Sequence, residues 1–218
     1  MPAGVNFPGS AGCSSHARPL LAPIEKRGEG NLRIGSVAAG FKLLLLIATA
    51  CAFGAPGTAV SACPELLDHR FNSLQGKPVD LCEYANRPIL VVNTASKCGY
   101  TPQFEKLEAM YKRYRSRGLL VVGFPSNDFN QELATNKEIG SFCRLTYFVE
   151  FPMVEKTAVT GAVADPFFRQ LRAVTGEAPQ WNFHKYLIAP DGKTVYSFRS
   201  QVEPDSREIM SRLAPMLR

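Results

Sequence analysis

The chain has 218 residues, of which 45% are hydrophobic and 20% are charged. Such a composition is typical of soluble globular proteins and indicates neither a disordered chain nor a bundle of membrane helices. The formal net charge is +6, but the lysines and arginines are scattered and form no basic stripe interleaved with aromatic residues. We therefore expect no nucleic-acid partner.

Residues 1–62 are predicted to be an N-terminal extension that ends in a cleaved signal peptide. Arg33 and Lys42 supply positive charge ahead of an apolar run, Leu43–Phe53. A cleavage site of small residues lies at the end of the extension. The apolar run has about eleven residues, whereas a transmembrane helix needs about twenty. We therefore expect export to the periplasm without a transmembrane span, and one folded domain over residues 63–218.

Cys63 is the first residue after the predicted cleavage site, and three interpretations of it are open. In an oxidising compartment it is expected to form a disulfide with Cys82, which closes a loop of about twenty residues and stabilises the fold by about 3 kcal/mol. Val60-Ser61-Ala62-Cys63 also resembles a lipoprotein box, so a lipid anchor on Cys63 is the second interpretation. In the third, both cysteines are small apolar core residues.

The first half of the domain is predicted to begin with a hairpin around Asp80 and to continue with strands and helices in alternation. Continuous apolar runs at Ile89–Val92 and Leu119–Phe124 indicate strands that are buried on both faces, as in a parallel sheet. Between them, Thr101 is expected to cap a helix that has Pro102 at its first position. A strand, a helix and a second strand therefore follow one another.

The second half of the domain is predicted to contain three further helices and three further strands. The helices are expected over Asn136–Tyr147, Pro166–Val174 and Asp205–Leu217. The strands are expected over Phe151–Val154, Phe183–Ala189 and Val195–Phe198. An Asp-Gly dipeptide between the last two strands is a strong hairpin signal. Together these elements predict an α/β fold with helices on both faces of a central sheet.

Cys98 is the candidate nucleophile because of its place between the first long strand and the helix that follows it. Free backbone N–H groups and the helix dipole favour an anion at such a position. A thiolate is expected to be stabilised there, and the neighbouring Lys97 adds positive charge. The alternative that position alone leaves open is a buried, inert thiol.

Three segments resemble signatures of the glutathione peroxidase family in its cysteine form. Val92–Phe104, which contains Cys98, is similar to the family's peroxidatic segment, Gly123–Phe129 to its second signature and Trp181–Phe183 to its third. They occur in the family's order over about ninety residues, which makes the resemblance far more specific than one motif. The resemblance covers the chain from about Phe71 to Leu217 and implies a thioredoxin-like fold with a central mixed β-sheet flanked by helices.

The resemblance also implies a reaction, the reduction of hydrogen peroxide or organic hydroperoxides to water or an alcohol. Cys98 attacks the peroxide and becomes a sulfenic acid. Trp181 and Asn182 are expected to donate hydrogen bonds to the sulfur or to the leaving oxygen. Without the resemblance, Trp181 is interpreted as an aromatic core residue.

Cys143 matches the resolving cysteine of the family's thioredoxin-dependent members. It is expected to attack the sulfenic acid and to form a disulfide with Cys98. Because its segment is predicted to be helical and remote from Cys98, this step requires local unwinding. The alternative is a buried cysteine on an amphipathic helix.

The chain departs from the family at Asp128, where members usually carry a glutamine whose amide helps to hold the peroxidatic sulfur. A carboxylate donates no hydrogen bond and repels a thiolate. Asp128 is therefore expected to be protonated, to pair with Lys97, or to leave the donor role to Trp181, Asn182 and backbone amides.

The resemblance implies a thioredoxin-like protein as the reductant, with glutathione as the alternative, and neither a metal nor another cofactor. The chain between Asp165 and Trp181 is short, which favours a monomer. Two other functions stay open. One is a redox sensor or relay in which an oxidised Cys98–Cys143 pair passes its oxidation to a protein partner, and the other is a catalytically weak thioredoxin-like adaptor.

Overall fold

The structure is a computed structural model and describes residues 63–218. The predicted N-terminal extension with its signal peptide lies outside the described residues. Within the described part of the chain, no helix is both long and apolar enough to cross a membrane. Two short strands, β1 (Arg70–Phe71) and β2 (Val79–Asp80), pair antiparallel and form the predicted opening hairpin.

A mixed sheet of four strands forms the centre of the domain. In chain order the strands are β3 (Ile89–Thr94), β4 (Leu120–Pro125), β5 (Lys185–Ile188) and β6 (Val195–Phe198). Their spatial order is β4-β3-β5-β6, with β3 parallel to β4 and antiparallel to β5, and with β6 antiparallel to β5. Every residue of β3 and β4 is buried, as their continuous apolar runs predict.

Helices cover both faces of this sheet. They are α1 (Gln103–Tyr114), α2 (Asn136–Thr146), α3 (Pro166–Thr175) and α4 (Arg207–Leu213). Apolar side chains of α1, α2 and α4 share one hydrophobic cluster with one face of the sheet, whereas those of α3 belong to a second cluster on the other face. The prediction of an α/β, thioredoxin-like fold with a mixed sheet is thus confirmed.

A disulfide between Cys63 and Cys82 attaches the first described residues to the segment after β2, with 5.4 Å between the two Cα atoms. The first of the three interpretations of Cys63 is therefore the one observed. A sulfur in a disulfide cannot also carry a thioether-linked lipid. Asp68 lies close enough to both sulfurs to complete a trio of metal-ligand type, but the disulfide uses the two sulfurs.

The predicted strand at Phe151–Val154 is wrong. This segment makes only isolated bridges, from Met153 to Gly123 and from Val154 to Ser73. Pro152 has no N–H to donate to a ladder, and the segment passes between the hairpin loop and β4 without a continuous partner on either side.

Candidate active site

Cys98 lies in a tight turn that connects β3 to α1. Its Sγ accepts a hydrogen bond from the Tyr100 N–H at 3.4 Å. The Thr101 N–H closes the turn by donating to the Cys98 carbonyl at 3.0 Å. Although the Cys98 side chain is buried, with 7% of its surface exposed, a backbone donor is directed at its sulfur. A backbone donor at the sulfur is the contact that the position of Cys98 before a helix predicts.

Thr101 does not cap α1, contrary to the prediction. Its Oγ1 accepts from the Cys98 N–H at 3.0 Å and donates to the Ala95 carbonyl at 2.9 Å. Pro102 occupies the cap position instead. A threonine hydroxyl readily bonds to nearby backbone groups, and here those groups belong to the turn and not to the helix end. Thr101 therefore holds the conformation of the Cys98 turn.

Trp181 lies at the protein surface, where 41% of it is exposed. Its ring packs on Phe129 with 5.3 Å between the ring centroids. An open cavity of about 390 Å³ lies between Trp181 and Tyr100, the residue whose N–H contacts the Cys98 sulfur. The other lining residues are Gln180, His184, Arg199, Ser200 and Gln201. The interpretation of Trp181 as a core aromatic is therefore wrong, and Trp181 instead lines this open cavity.

Asn182 is completely buried, and the residues on either side of it are hydrogen-bonded to Asn93. The Asn93 side chain donates to the Trp181 carbonyl at 3.2 Å, and the Phe183 N–H donates to the Asn93 carbonyl at 2.7 Å. Asn182 Nδ2 donates to Gln131 Oε1 at 2.9 Å, while its Oδ1 has no hydrogen-bond partner among the described residues. Phe183 has a φ of 63°, a left-handed conformation that a bulky residue adopts only when its surroundings impose it.

Two buried titratable side chains anchor the residues after Asn182. Lys185 Nζ donates to the carbonyls of Phe183 and Val202, each at 2.7 Å, and burial lowers the pKa of Lys185 to about 7. His184 Nε2 lies 2.8 Å from Ser197 Oγ, and burial lowers the pKa of this imidazole to about 4. The segment that carries Trp181 and Asn182 is thus tied to the sheet.

Asp128 is turned toward a neighbouring loop. Its Oδ2 accepts hydrogen bonds from the N–H groups of Val159 at 2.7 Å and of Thr160 at 2.8 Å. These loop amides, and not Lys97, are its partners. Of the expected alternatives, the observed contacts fit best with an Asp128 that leaves the donor role to other groups.

Two residues that sequence reasoning missed, Gln131 and Glu132, contact the Cys98 turn. The Gln131 carbonyl accepts from the Lys97 N–H at 2.9 Å, and Glu132 Oε1 accepts from the Ser96 N–H at 3.1 Å. Burial raises the pKa of Glu132. Their position just after the second signature is the one signal in the sequence that pointed toward them.

Cys143 lies on α2, as predicted, three residues before the last residue of the helix, and only 3% of it is exposed. Burial, and then the negative charge of Glu132, raise the pKa of its thiol to about 12. It is a free thiol in the same hydrophobic cluster as Cys98, and no bond joins the two. In the folded helix Cys143 is therefore a poor nucleophile.

Known proteins resemble this domain along most of its length. The family model described as glutathione peroxidase matches residues 66–172. The glutathione peroxidase of Lactococcus lactis subsp. cremoris is 43% identical over 141 residues, which are 62% of this chain and 89% of the relative. The hydroperoxy fatty acid reductase of Synechocystis sp. is 41% identical over 145 residues, 62% of this chain and 86% of the relative. The crystal structure of T. cruzi GPX1 superposes with a TM-score of 0.54 at 28% identity, over 69% of this chain and 95% of that one.

Proposed function

The chain belongs to the glutathione peroxidase family, and we propose that Cys98 is the nucleophile with which it acts. The protein is a thiol peroxidase, an oxidoreductase that reduces hydroperoxides. The observation that carries the assignment to Cys98 is the hydrogen bond from the Tyr100 N–H to its sulfur. The free cysteines among the described residues are Cys98 and Cys143, and the latter is held as a thiol by its surroundings.

In the first step, the Cys98 thiolate attacks the terminal oxygen of the hydroperoxide. The S–O bond forms as the O–O bond breaks, so the sulfur is oxidised to a sulfenic acid and the other oxygen leaves with the electron pair. That oxygen takes a proton and departs as water or an alcohol. The N–H groups of Trp181 and Asn182 are proposed to stabilise the negative charge on it, a task for which one lost donor costs about 100- to 1000-fold in rate.

In the second step, Cys143 is proposed to attack the sulfur of the Cys98 sulfenic acid. The S–S bond forms, the S–O bond breaks, and the hydroxyl leaves as water with the proton of the Cys143 thiol. Because Cys143 is buried with a pKa of about 12, α2 has to unwind before it reacts. A dithiol protein of the thioredoxin type then reduces the disulfide in our proposal, with glutathione as the alternative reductant.

The protein is also proposed to act after export to the periplasm. The apolar run and cleavage site before Cys63 motivate this proposal, and the Cys63–Cys82 disulfide supports it because such bonds persist in oxidising compartments. Cell fractionation with N-terminal sequencing of the mature chain is the test. A mature chain recovered in the cytoplasm with Cys63 reduced would contradict export.

The two-cysteine cycle is tested by treating the purified protein with one equivalent of hydrogen peroxide and mapping its cysteines by mass spectrometry. Wild type is expected to form a Cys98–Cys143 disulfide, whereas Cys143→Ser is expected to accumulate a Cys98 sulfenic acid that dimedone traps. Cys98→Ser is expected to consume no peroxide. The double variant Cys63→Ser/Cys82→Ser is the control and should form the same Cys98–Cys143 bond as wild type.

Two outcomes would contradict the proposal. Peroxide consumption by Cys98→Ser would exclude Cys98 as the nucleophile. A persistent Cys98 sulfenic acid in wild type, with Cys143 free, would exclude the second step. Steady-state turnover with reduced thioredoxin separates the peroxidase from a redox relay, since a relay oxidises rapidly but turns over negligibly with that donor.

A further inference from the structure

The C-terminal end of α1 and the turn after it carry arginine side chains beside tyrosine rings. The guanidinium groups of Arg113 and Arg117 both lie over the Tyr114 ring, with 5.4 and 5.9 Å between Cζ and the ring centroid. Arg115 lies over Tyr111 in the same way, at 5.6 Å. The three arginines are exposed and the two tyrosines are partly buried. The rings therefore support the arginine stems while the charged groups stay in water.

Two arginines that are remote in the sequence join this surface. A Cβ on Gly118 would lie 3.9 Å from Arg87 Cγ. Arg117 Nε donates to the Arg218 carbonyl at 3.0 Å, and Arg218 Nη2 donates to the carbonyl of Asn86 at 2.8 Å. The prediction that basic residues form no stripe with aromatic residues is therefore wrong for this surface. We call its four exposed arginines the arginine patch: Arg87, Arg113, Arg117 and Arg218.

The arginine patch has an excess of positive charge. Within residues 63–218, none of its guanidinium groups lies within ion-pair distance of an aspartate or glutamate side chain. The basic residues next to it differ, since Glu150 pairs with Lys112 at 3.3 Å and with Arg115 at 3.5 Å. The C-terminal group of Arg218 contacts Arg117 and compensates one charge of the patch. The remaining guanidinium groups are free to bind an external anion.

The chain enters the folded domain beside the arginine patch. Cys63 is bonded to Cys82, which shares the short helix Leu81–Tyr84 with Tyr84. The Tyr84 ring lies beneath Arg87, with 5.9 Å between its centroid and Cζ. The residues before Cys63, which include the predicted signal peptide, are therefore attached close to the patch. Because a signal peptide directs a chain to a membrane, the proposed export brings this side of the domain near a bilayer.

We propose that the arginine patch binds the surface of a bilayer that contains anionic phospholipids. Guanidinium groups bind phosphate through paired N–H donors, and tyrosine rings suit the boundary between water and lipid. Nucleic acid also presents phosphates, but the proposed export leads to a compartment bounded by membranes.

Bilayer binding does not depend on the peroxidase chemistry. The patch lies at the opposite end of α1 from Cys98, and a helix of 12 residues is about 18 Å long. A bilayer can therefore be bound without contact to the Cys98 turn.

The experiment is co-sedimentation of the chain, as purified from the expressing cells, with vesicles of two compositions. One is phosphatidylcholine alone, and the other is phosphatidylcholine mixed with phosphatidylglycerol. The measured quantity is the ratio of the two partition coefficients, anionic to neutral. Apolar residues before Cys63 contribute equally to both vesicles, so their contribution cancels in this ratio.

Wild type is expected to prefer the anionic vesicles, and the preference should disappear in about 1 M salt, where the Debye length is about 3 Å. Each arginine near an anionic surface contributes about fivefold to the partition coefficient. Arg113→Gln/Arg117→Gln is therefore expected to lower the ratio about 25-fold. Its rate of oxidation by hydrogen peroxide should equal that of wild type, which also shows that the fold is intact.

The matched control is Arg172→Gln/Arg207→Gln, which removes the same charge from exposed positions outside the patch, on α3 and α4. It should keep the ratio of wild type. An equal fall in both double variants would assign the binding to net charge and overturn the inference, as would a wild-type chain without preference for anionic vesicles. Loss of duplex DNA binding in the patch variant, with its vesicle ratio unchanged, would identify nucleic acid as the partner and overturn it too.

Discussion

Removal of the N-terminal cap of α2 is expected to make Cys143 react faster. Thr135 Oγ1 accepts from the Glu138 N–H at 3.2 Å, and the Glu138 carboxylate accepts from the Thr135 N–H at 2.9 Å, so the two residues form a capping box. Thr135→Ala removes the side-chain cap and costs the helix end about 1 kcal/mol. Because 1.4 kcal/mol corresponds to a factor of ten, the unwound population of α2 is expected to rise about fivefold.

The reaction of Cys143 depends on that unwound population. Burial and the charge of Glu132 raise the pKa of Cys143 from 9.0 to about 12, a difference of about three units. At neutral pH the folded helix therefore contains about a thousandfold less Cys143 thiolate than an unfolded segment does. When opening and closing are fast, the observed rate is the intrinsic rate of the open segment multiplied by its population. A fivefold larger population gives a fivefold faster reaction.

The assay is alkylation of Cys143 by iodoacetamide in a Cys98→Ser background, followed by mass spectrometry. The Thr135→Ala chain is compared with its parent and with Ser206→Ala, which removes the equivalent cap of α4, where the Ile209 N–H donates to Ser206 Oγ at 3.4 Å. The α4 variant should alkylate at the parent rate. An unchanged rate in Thr135→Ala, or an equal increase in both cap variants, would refute the idea that local unwinding of α2 exposes Cys143.

Three further predictions concern Asp128, His184 and the disulfide. Asp128→Leu leaves the buried Val159 N–H without its acceptor, so urea unfolding should show that the free energy of unfolding falls by about 1–3 kcal/mol. The Asp128→Gln variant should be oxidised by hydrogen peroxide no faster than wild type when the reaction is followed by stopped-flow fluorescence. Because burial lowers the pKa of His184 from 6.5 to about 4, the unfolded chain binds a proton in this window that the folded chain does not. Stability is therefore expected to fall as the pH falls from 6.5 to 4, by up to about 3 kcal/mol, and urea titrations of His184→Asn should show a flatter dependence. Cys63→Ser is expected to lose about 3 kcal/mol relative to oxidised wild type; an equally large loss in fully reduced samples would argue against the disulfide as the cause.

The sequence was most informative where structure depends on neighbouring residues. The apolar runs of β3 and β4 predicted two buried strands because a strand covered on both faces requires apolar residues without alternation. The Asp-Gly dipeptide predicted the last hairpin, and Gly192 has a positive φ of 65° in the loop that joins its two strands. The place of Cys98 between a strand and a helix predicted that its sulfur would accept a hydrogen bond from a backbone N–H.

The same local reasoning was wrong where a residue had two possible partners nearby. Thr101 precedes a proline in the pattern of a helix start, yet its hydroxyl bonds to the turn before it. Phe151–Val154 has the composition of a strand, but its ends meet different neighbours and no ladder forms. A propensity describes the conformations and contacts that are open to a residue. Competition among the contacts available in the folded chain decides which of them forms.

By itself the sequence determined the α/β class and the candidate nucleophile Cys98, which precedes the first helix. It also gave the expectation that Asp128 would not act as an amide donor. Only the tertiary structure decided which groups Asp128 and Asn182 contact. Asp128 binds an amide 31 residues away, and Gln131 binds Asn182 across 51 residues. Hydrogen bonds over such separations depend on how β4 and the loop after it pack beside the segment before β5. A pattern of adjacent residues contains no record of that packing, and the orientation of the Asn182 amide therefore became visible only in the folded chain.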